Sequence, residues 1–271
     1  MAWSSSVASR KIPNPSPVEN ALAKVPQVTL GFWLIKIVAT TLGETGGDWV
    51  TMSLNLGYLI GTAVFAAFFV GLVAAQVKAT RFHPSLYWAT IVGSTTLGTT
   101  LADFADRSVG LGYPGGVALI ATALVISLVV WYRSEGSISV ESVVRPRVEW
   151  FYWSTILFSQ TLGTALGDWV ADPELGGLGL GYERGALGFA AGLAIVALLY
   201  LRTKTSRTLL FWVAFILTRP LGATLGDWLD KPVANGGLEV SRLLASLILL
   251  AIIVMGVLLL PQRPAGPRPS A

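Results

Sequence analysis

Five carboxylates stand out in a chain otherwise poor in charge, four of them closing copies of one motif: TLGETGGDW (Thr41–Trp49), TLGTTLADF (Thr96–Phe104), TLGTALGDW (Thr161–Trp169) and PLGATLGDW (Pro220–Trp228). The closing acids are Asp48, Asp103, Asp168 and Asp227; the fifth, Glu44, occurs in the first copy only, where the others have Thr99, Thr164 and Ala223. On a helix, Thr41, Glu44, Thr45 and Asp48 fall in one stripe, as do Thr96, Thr99, Thr100 and Asp103, then Thr161, Thr164 and Asp168, then Thr224 and Asp227. Every polar atom in these rows is an oxygen. Carboxylates and hydroxyls suit hard ions such as Mg²⁺, Mn²⁺ or Ca²⁺, or protons, over Cu⁺ or Zn²⁺. Glu44 and Asp48 are the candidate metal ligands, and Thr41, Thr96 and Thr161 with the four Asp complete the candidate ion-binding set. With no cysteine, disulfides, thiolate sites and c-type haem attachment are excluded. The single histidine, His83, lies in a short basic loop.

Two cations accompany the acids. Lys36 is unique to the first repeat, and Arg219, aligned with Thr40, to the fourth. A charge buried at such depth in a membrane costs about 3 kcal/mol or more and is normally paired, so Glu44 and Arg219 are expected to meet. Each feature also has a structural reading. The Asp can cap broken helices, Lys36 can snorkel toward the cytoplasm, and Arg219 can bond carbonyls freed by Pro220.

The elements that must position these residues follow from composition and repetition. Hydrophobic residues make up 53% and charged residues 13%, against about 25% charged in a soluble domain. An apolar run follows each motif: Tyr58 to Val77, Val117 to Tyr132, Gly185 to Leu201 and Leu243 to Leu260. Each motif segment, led by an aromatic pair (Phe32-Trp33, Tyr87-Trp88, Tyr152-Trp153, Phe211-Trp212), is itself long enough to span a bilayer, which takes about 20 helical residues. The reading is an all-α polytopic membrane protein with eight transmembrane helices, arranged as four two-helix repeats over 29–80, 85–133, 150–202 and 209–260. An even number of crossings per repeat makes the copies parallel and pseudo-symmetric about the membrane normal, unlike inverted-repeat transporters. Small residues at i and i+4 (Gly43 and Gly47, Gly98 and Ala102, Gly163 and Gly167, Gly222 and Gly226) let motif helices approach closely.

The basic residues sort by loop. Arg10, Lys11, Lys24, Lys78, Arg81, Arg133, Arg145, Arg147, Arg202, Lys204, Arg207, Arg263 and Arg268 fall on one side of eight alternating helices, and only Arg107, Arg184, Lys231 and Arg242 on the other. The positive-inside rule puts both termini in the cytoplasm, at the inner membrane of a bacterium. Topology thus accounts for the net charge of +4, and a nucleic-acid partner is not expected. Residues 1–27 read as a flexible cytoplasmic arm without a signal peptide, and 261–271 as a disordered cytoplasmic tail. Between them, 28–260 form one transmembrane domain. Its loop 134–149 forms either a short hairpin or an irregular connection, and GLGLG (Gly177–Gly181) is a turn, because no βαβ unit surrounds it.

Four tandem two-helix units, each with a TLGxxxGD-like core and an aromatic pair, resemble the bacterial membrane-anchored proteins catalogued as a repeat of unknown function. The resemblance covers Thr29 to Leu260, including Trp131-Tyr132, Phe151-Tyr152-Trp153 and Thr218-Arg219-Pro220-Leu221-Gly222. Phe104 departs from the Trp of the other copies, and the central loop lacks the His that relatives often carry. The resemblance implies a fold and a membrane location, and no activity.

Two functions remain open. One is a transporter or channel for a small hard cation, a divalent metal or a proton-coupled substrate; the other is a non-catalytic scaffold in which the motifs only pack helices. An enzyme is not expected, since no nucleophile–base pair, histidine cluster or cofactor motif is present; neither haem nor nucleotide is implied, and the expected partners are the bilayer and the cation.

Overall fold

The computed structural model describes residues 23–266. Among them are eight α-helices: α1 (Leu30–Asp48), α2 (Gly57–Lys78), α3 (Pro84–Asp103), α4 (Gly112–Glu135), α5 (Pro146–Ala171), α6 (Tyr182–Arg202), α7 (Arg207–Asp230) and α8 (Arg242–Leu259). Local chemistry sets their ends. The Thr29 side chain accepts the Phe32 N–H at 3.2 Å and the Ser206 side chain that of Leu209 at 3.4 Å, filling donors that a first turn leaves open. Pro84 and Pro146 occupy first-turn positions, where their missing N–H costs nothing. Gly136, at φ 71°, ends α4 in the left-handed conformation.

The motif helices close a ring. α1 packs on α3, α3 on α5, α5 on α7 and α7 back on α1. The motif glycines make this closeness possible, each against the next helix in the same sense: Gly43 against Thr95, Gly98 against Gln160, Gly163 against Arg219 and Gly222 against Thr40. One turn further on, Gly47 meets Thr99, Gly167 meets Ala223 and Gly226 meets Glu44. A Cβ at Gly98 would stand 2.9 Å from the Gln160 backbone carbon.

The second helix of each repeat leaves its own motif helix for the next one. α2 lies on α3, α4 on α5, α6 on α7 and α8 on α1, so the repeats interlock. These four helices and α7 are long and apolar enough to cross a membrane. Their outward faces carry exposed Leu59, Phe68, Val125, Ile126, Leu198, Leu247 and Leu258, an apolar surface too extensive for a soluble monomer. α1, α3 and α5 are more polar, and that polarity is turned into the ring: their motif threonines and carboxylates are buried.

Aromatic side chains close one end of the ring. Phe32 and Trp88, Tyr87 and Trp153, and Trp131 and Trp212 have centroids 5.5, 5.6 and 5.8 Å apart, and the hydroxyls of Tyr87 and Tyr152 meet at 2.8 Å. Across this end runs a feature that composition misread. Of the arm expected over 1–27 and the tail over 261–271, residues 1–22 and 267–271 lie outside the described residues, but the parts nearest the helices are paired with each other. Ala23 N–H donates to Ala265 O at 2.9 Å, Gln27 N–H to Arg263 O at 2.8 Å and Ala265 N–H to Val25 O at 2.8 Å. Lys24 ties this strap down through Glu149 at 2.6 Å and the terminal carbonyls of α2, Gln76 O at 3.0 Å and Ala79 O at 2.8 Å. The connection expected over 134–149 is shortened at both ends by α4 and α5; it holds a 3₁₀ turn, Val140–Ser142, and no strand. Val140 and Val143 are buried, and Ile138 O accepts the Trp212 indole N–H at 2.9 Å.

Candidate functional site

Residues four apart on a helix form an oblique row, and one such row from each motif helix faces the ring interior. Starting at the aromatic end, the rows read Phe32, Lys36, Thr40, Glu44, Asp48 on α1; Tyr87, Ile91, Thr95, Thr99, Asp103 on α3; Tyr152, Ile156, Gln160, Thr164, Asp168 on α5; and Phe211, Phe215, Arg219, Ala223, Asp227 on α7. All are buried except the half-buried Phe211. The result is a column of layers, aromatic at one end and acidic at the other.

Arg219 is the node of its middle. Its guanidinium donates to Glu44 Oε2 at 2.8 Å, Thr99 Oγ1 at 2.6 Å, Thr40 O at 3.3 Å and Thr164 Oγ1. One side chain thereby touches every other helix of the ring, and the Glu44–Arg219 contact is an ion pair with both partners buried. Around this node several polar atoms have no partner among the described residues: Thr95 Oγ1, both amide atoms of Gln160, Ser159 Oγ and Arg219 Nε.

The acidic end is bridged by cations. Lys231 Nζ lies 2.7 Å from Asp48 Oδ2 and 3.1 Å from Asp227 Oδ1, the second contact too oblique for a hydrogen bond. Glu44, Asp48 and Asp227 each offer a carboxylate oxygen within 4.8 Å of the other two. Across the ring, Arg107 Nε holds Asp103 Oδ1 at 3.1 Å; its Nη2 donates to the Tyr113 hydroxyl at 2.6 Å, which donates to Asp172 Oδ2 at 2.9 Å. The Asp168 carboxylate has no hydrogen bond or ion pair among the described residues, although it lies within electrostatic reach of Asp227, Glu44, Asp103 and Arg107. A further link, Arg242 Nε to Asp230 Oδ2 at 3.0 Å, brings Arg242 to 3.9 Å from Asp48.

Several sequence expectations need correcting. Thr41, Thr96 and Thr161 do not join the acids: each hydroxyl bonds the carbonyl four residues back in its own helix, Ile37, Val92 and Leu157, at 2.9 to 3.0 Å. Their neighbours in the stripe, Thr99 and Thr164, reach the centre instead. Lys36 neither snorkels nor pairs with a carboxylate among the described residues. It is fully buried, donates to Thr218 Oγ1 at 2.9 Å and Phe215 O at 3.4 Å, and stands 3.8 Å from the Phe215 ring centroid. None of the four Asp is more than 6% exposed, and Lys231 and Arg107 lie on three of them. Nor do their side chains cap backbone amides among the described residues. Lys231 and Arg107 were counted for topology alone; their signal was the i, i+4 spacing from Asp227 and Asp103, at the same offset in repeats four and two.

Fold and site together define an all-α protein with membrane-compatible helices interlocked around a buried column of charged and hydroxyl groups. The chain belongs to the family described as Repeat of Unknown Function (DUF347), whose repeat matches four times, at residues 31–82, 86–137, 151–206 and 210–263. No curated protein and no solved structure matches it.

Proposed function

We propose that this protein is a multi-pass transporter or channel of the bacterial cytoplasmic membrane for a small hard cation. In this reading all eight helices span the bilayer, the four repeats run parallel about an axis along the membrane normal, and both termini are cytoplasmic. The observation that carries it is the convergence of Glu44, Asp48 and Asp227 within 4.8 Å inside the ring. Three carboxylates gathered in a low-dielectric interior repel one another and call for compensating positive charge, of which Arg219 and Lys231 supply two. Their all-oxygen chemistry fits Mn²⁺, Mg²⁺ or Ca²⁺. Further support comes from the polar atoms around Arg219 that have no partner among the described residues, because a helix scaffold gains nothing from buried polar groups left unsatisfied.

The scaffold reading rests on a specific observation too, the glycine seats that let the ring close. Ion flux separates the two. In proteoliposomes containing a divalent-sensitive dye, the wild-type protein should admit at least one of Mn²⁺, Mg²⁺ and Ca²⁺, and Glu44→Gln should abolish that flux while retaining the fold. No flux with the wild type, or equal flux with Glu44→Gln, would overturn the proposal.

A further inference from the structure

Lys231 stands where an ion would. Its ammonium lies on Asp48 and Asp227, two of the three converging carboxylates, while the third, Glu44, is held by Arg219. The backbone around it is fixed: Lys231 N–H donates to Asp227 O at 2.9 Å, and Lys231 O accepts the Glu239 N–H at 3.0 Å. The side chain begins just beyond α7, with 16% of its surface exposed. The side chain thus lies at the edge of the helix bundle with part of its surface already at the exterior. The equivalent positions in repeats one, two and three are Met52, Arg107 and Asp172, so packing of the repeat does not demand a lysine.

A second observation points to an ion. Asp168 is 6% exposed and lies in the same layer within electrostatic reach of Glu44 and Asp227, and its carboxylate has no hydrogen bond or ion pair among the described residues. Arg107 acts on it at a distance while bonded to Asp103, so the layer contains a carboxylate that none of its cations contacts.

Resting on the cation-transport reading, we propose that Lys231 is a tethered counterion which occupies the Glu44–Asp48–Asp227 site between turnovers and is displaced by a divalent metal ion. Charge selects the valence. Glu44, Asp48 and Asp227 supply three negative charges and Arg219 and Lys231 two positive ones, and the neighbouring Arg242, 3.9 Å from Asp48, is matched by Asp230, leaving one negative charge. Exchanging the ammonium for a divalent ion makes the group neutral; a monovalent ion reproduces the resting charge and gains nothing. Return of Lys231 then helps expel the bound ion, so the same side chain that weakens binding speeds release.

Two measurements on the full-length protein test this. The first is Mn²⁺ binding and flux. Lys231→Met should bind Mn²⁺ at least about tenfold more tightly, the scale of a close charge interaction in a buried site, with KM and maximal flux both lowered. The second uses the wild type, in case Lys231→Met does not fold. On the protein in detergent micelles, where both faces are open to solvent, an amine acylating reagent should modify Lys231 slowly without metal and several-fold faster with saturating Mn²⁺, as read by mass spectrometry against Lys204. Unchanged or weaker Mn²⁺ affinity in folded Lys231→Met, or Lys231 labelling that Mn²⁺ leaves unchanged or slows, would overturn the inference while wild-type Mn²⁺ flux left the transport reading standing. Wild-type protein that moves none of Mn²⁺, Mg²⁺ and Ca²⁺ would remove both.

Discussion

Exchanging Arg219 for methionine removes a side chain that ties the four motif helices together and strands the Glu44 carboxylate at 3% exposure, with Thr99 Oγ1 at 3.3 Å as its remaining donor among the described residues. Loss of one partner of a buried ion pair costs about 3 to 5 kcal/mol. Glu44→Gln is milder. It keeps an acceptor for Arg219, and the guanidinium retains Thr40 O, Thr99 and Thr164, so the loss is about 1 to 3 kcal/mol. In the double variant neither charge is buried, and the methionine lies in the space left by the guanidinium. Its cost should fall below the sum of the single costs by about 2 kcal/mol, within the range seen for residues in direct contact. A double-mutant cycle read by reversible unfolding in mixed detergent micelles measures this. Single costs that add to within about 0.5 kcal/mol would show that the pair is not coupled, and a stabilising Arg219→Met would refute the node altogether.

Two further outcomes follow from the packing and from a carboxylate beyond the acidic layer. Gly98→Ala places a methyl 2.9 Å from Gln160 and Thr161 backbone atoms and should destabilise by about 1 to 3 kcal/mol, whereas Gly71→Ala, which meets nothing within 4 Å, should be neutral or stabilising by up to about 1 kcal/mol; equal thermal shifts for both would mean that α3 and α5 do not approach as described. Asp106, in the turn Phe104–Ser108 beyond α3, has both carboxylate oxygens without a hydrogen-bond partner among the described residues, and burial pushes its carboxyl up to about 7 against the opposing pull of Arg107. Because the folded state then holds the proton more tightly than the unfolded chain, Asp106 makes stability fall as pH rises from about 4 to about 7. Asp106→Asn should therefore raise the melting temperature more at pH 8 than at pH 4, and a larger gain at pH 4 would contradict this environment.

What could be read from the chain was what repetition exposes. The eight helices follow from the recurring motif and apolar runs, and the meeting of Glu44 with Arg219 from the fact that each breaks the pattern in one copy only. The column itself was misplaced by one residue. A stripe of i, i+3, i+4 and i+7 is broad, and without the inclination of the helices Thr41 and Thr40 have equal claim to the centre; the structure chooses the row through Thr40, Glu44 and Asp48. Repeat periodicity also cannot say that α2 leaves α1 for α3, because that is a choice of neighbour between identical units. Lys36 was misjudged because its reach toward water is a property of the residue, whereas its burial comes from Phe215 and Thr218 on a helix about 180 positions away. The strap of Ala23–Gln27 on Arg263–Ala265 is non-local in the same way, and its proline-rich composition concealed it.

The central claim is that Glu44, Asp48 and Asp227 hold a divalent ion that Lys231 otherwise replaces. It is tested most directly by an anomalous difference map of the wild-type protein crystallised with saturating Mn²⁺. The account predicts one peak bounded by oxygens of those three carboxylates, with the Lys231 ammonium turned toward solvent. A peak elsewhere, or no peak with Lys231 still lying on Asp48 and Asp227, would contradict it.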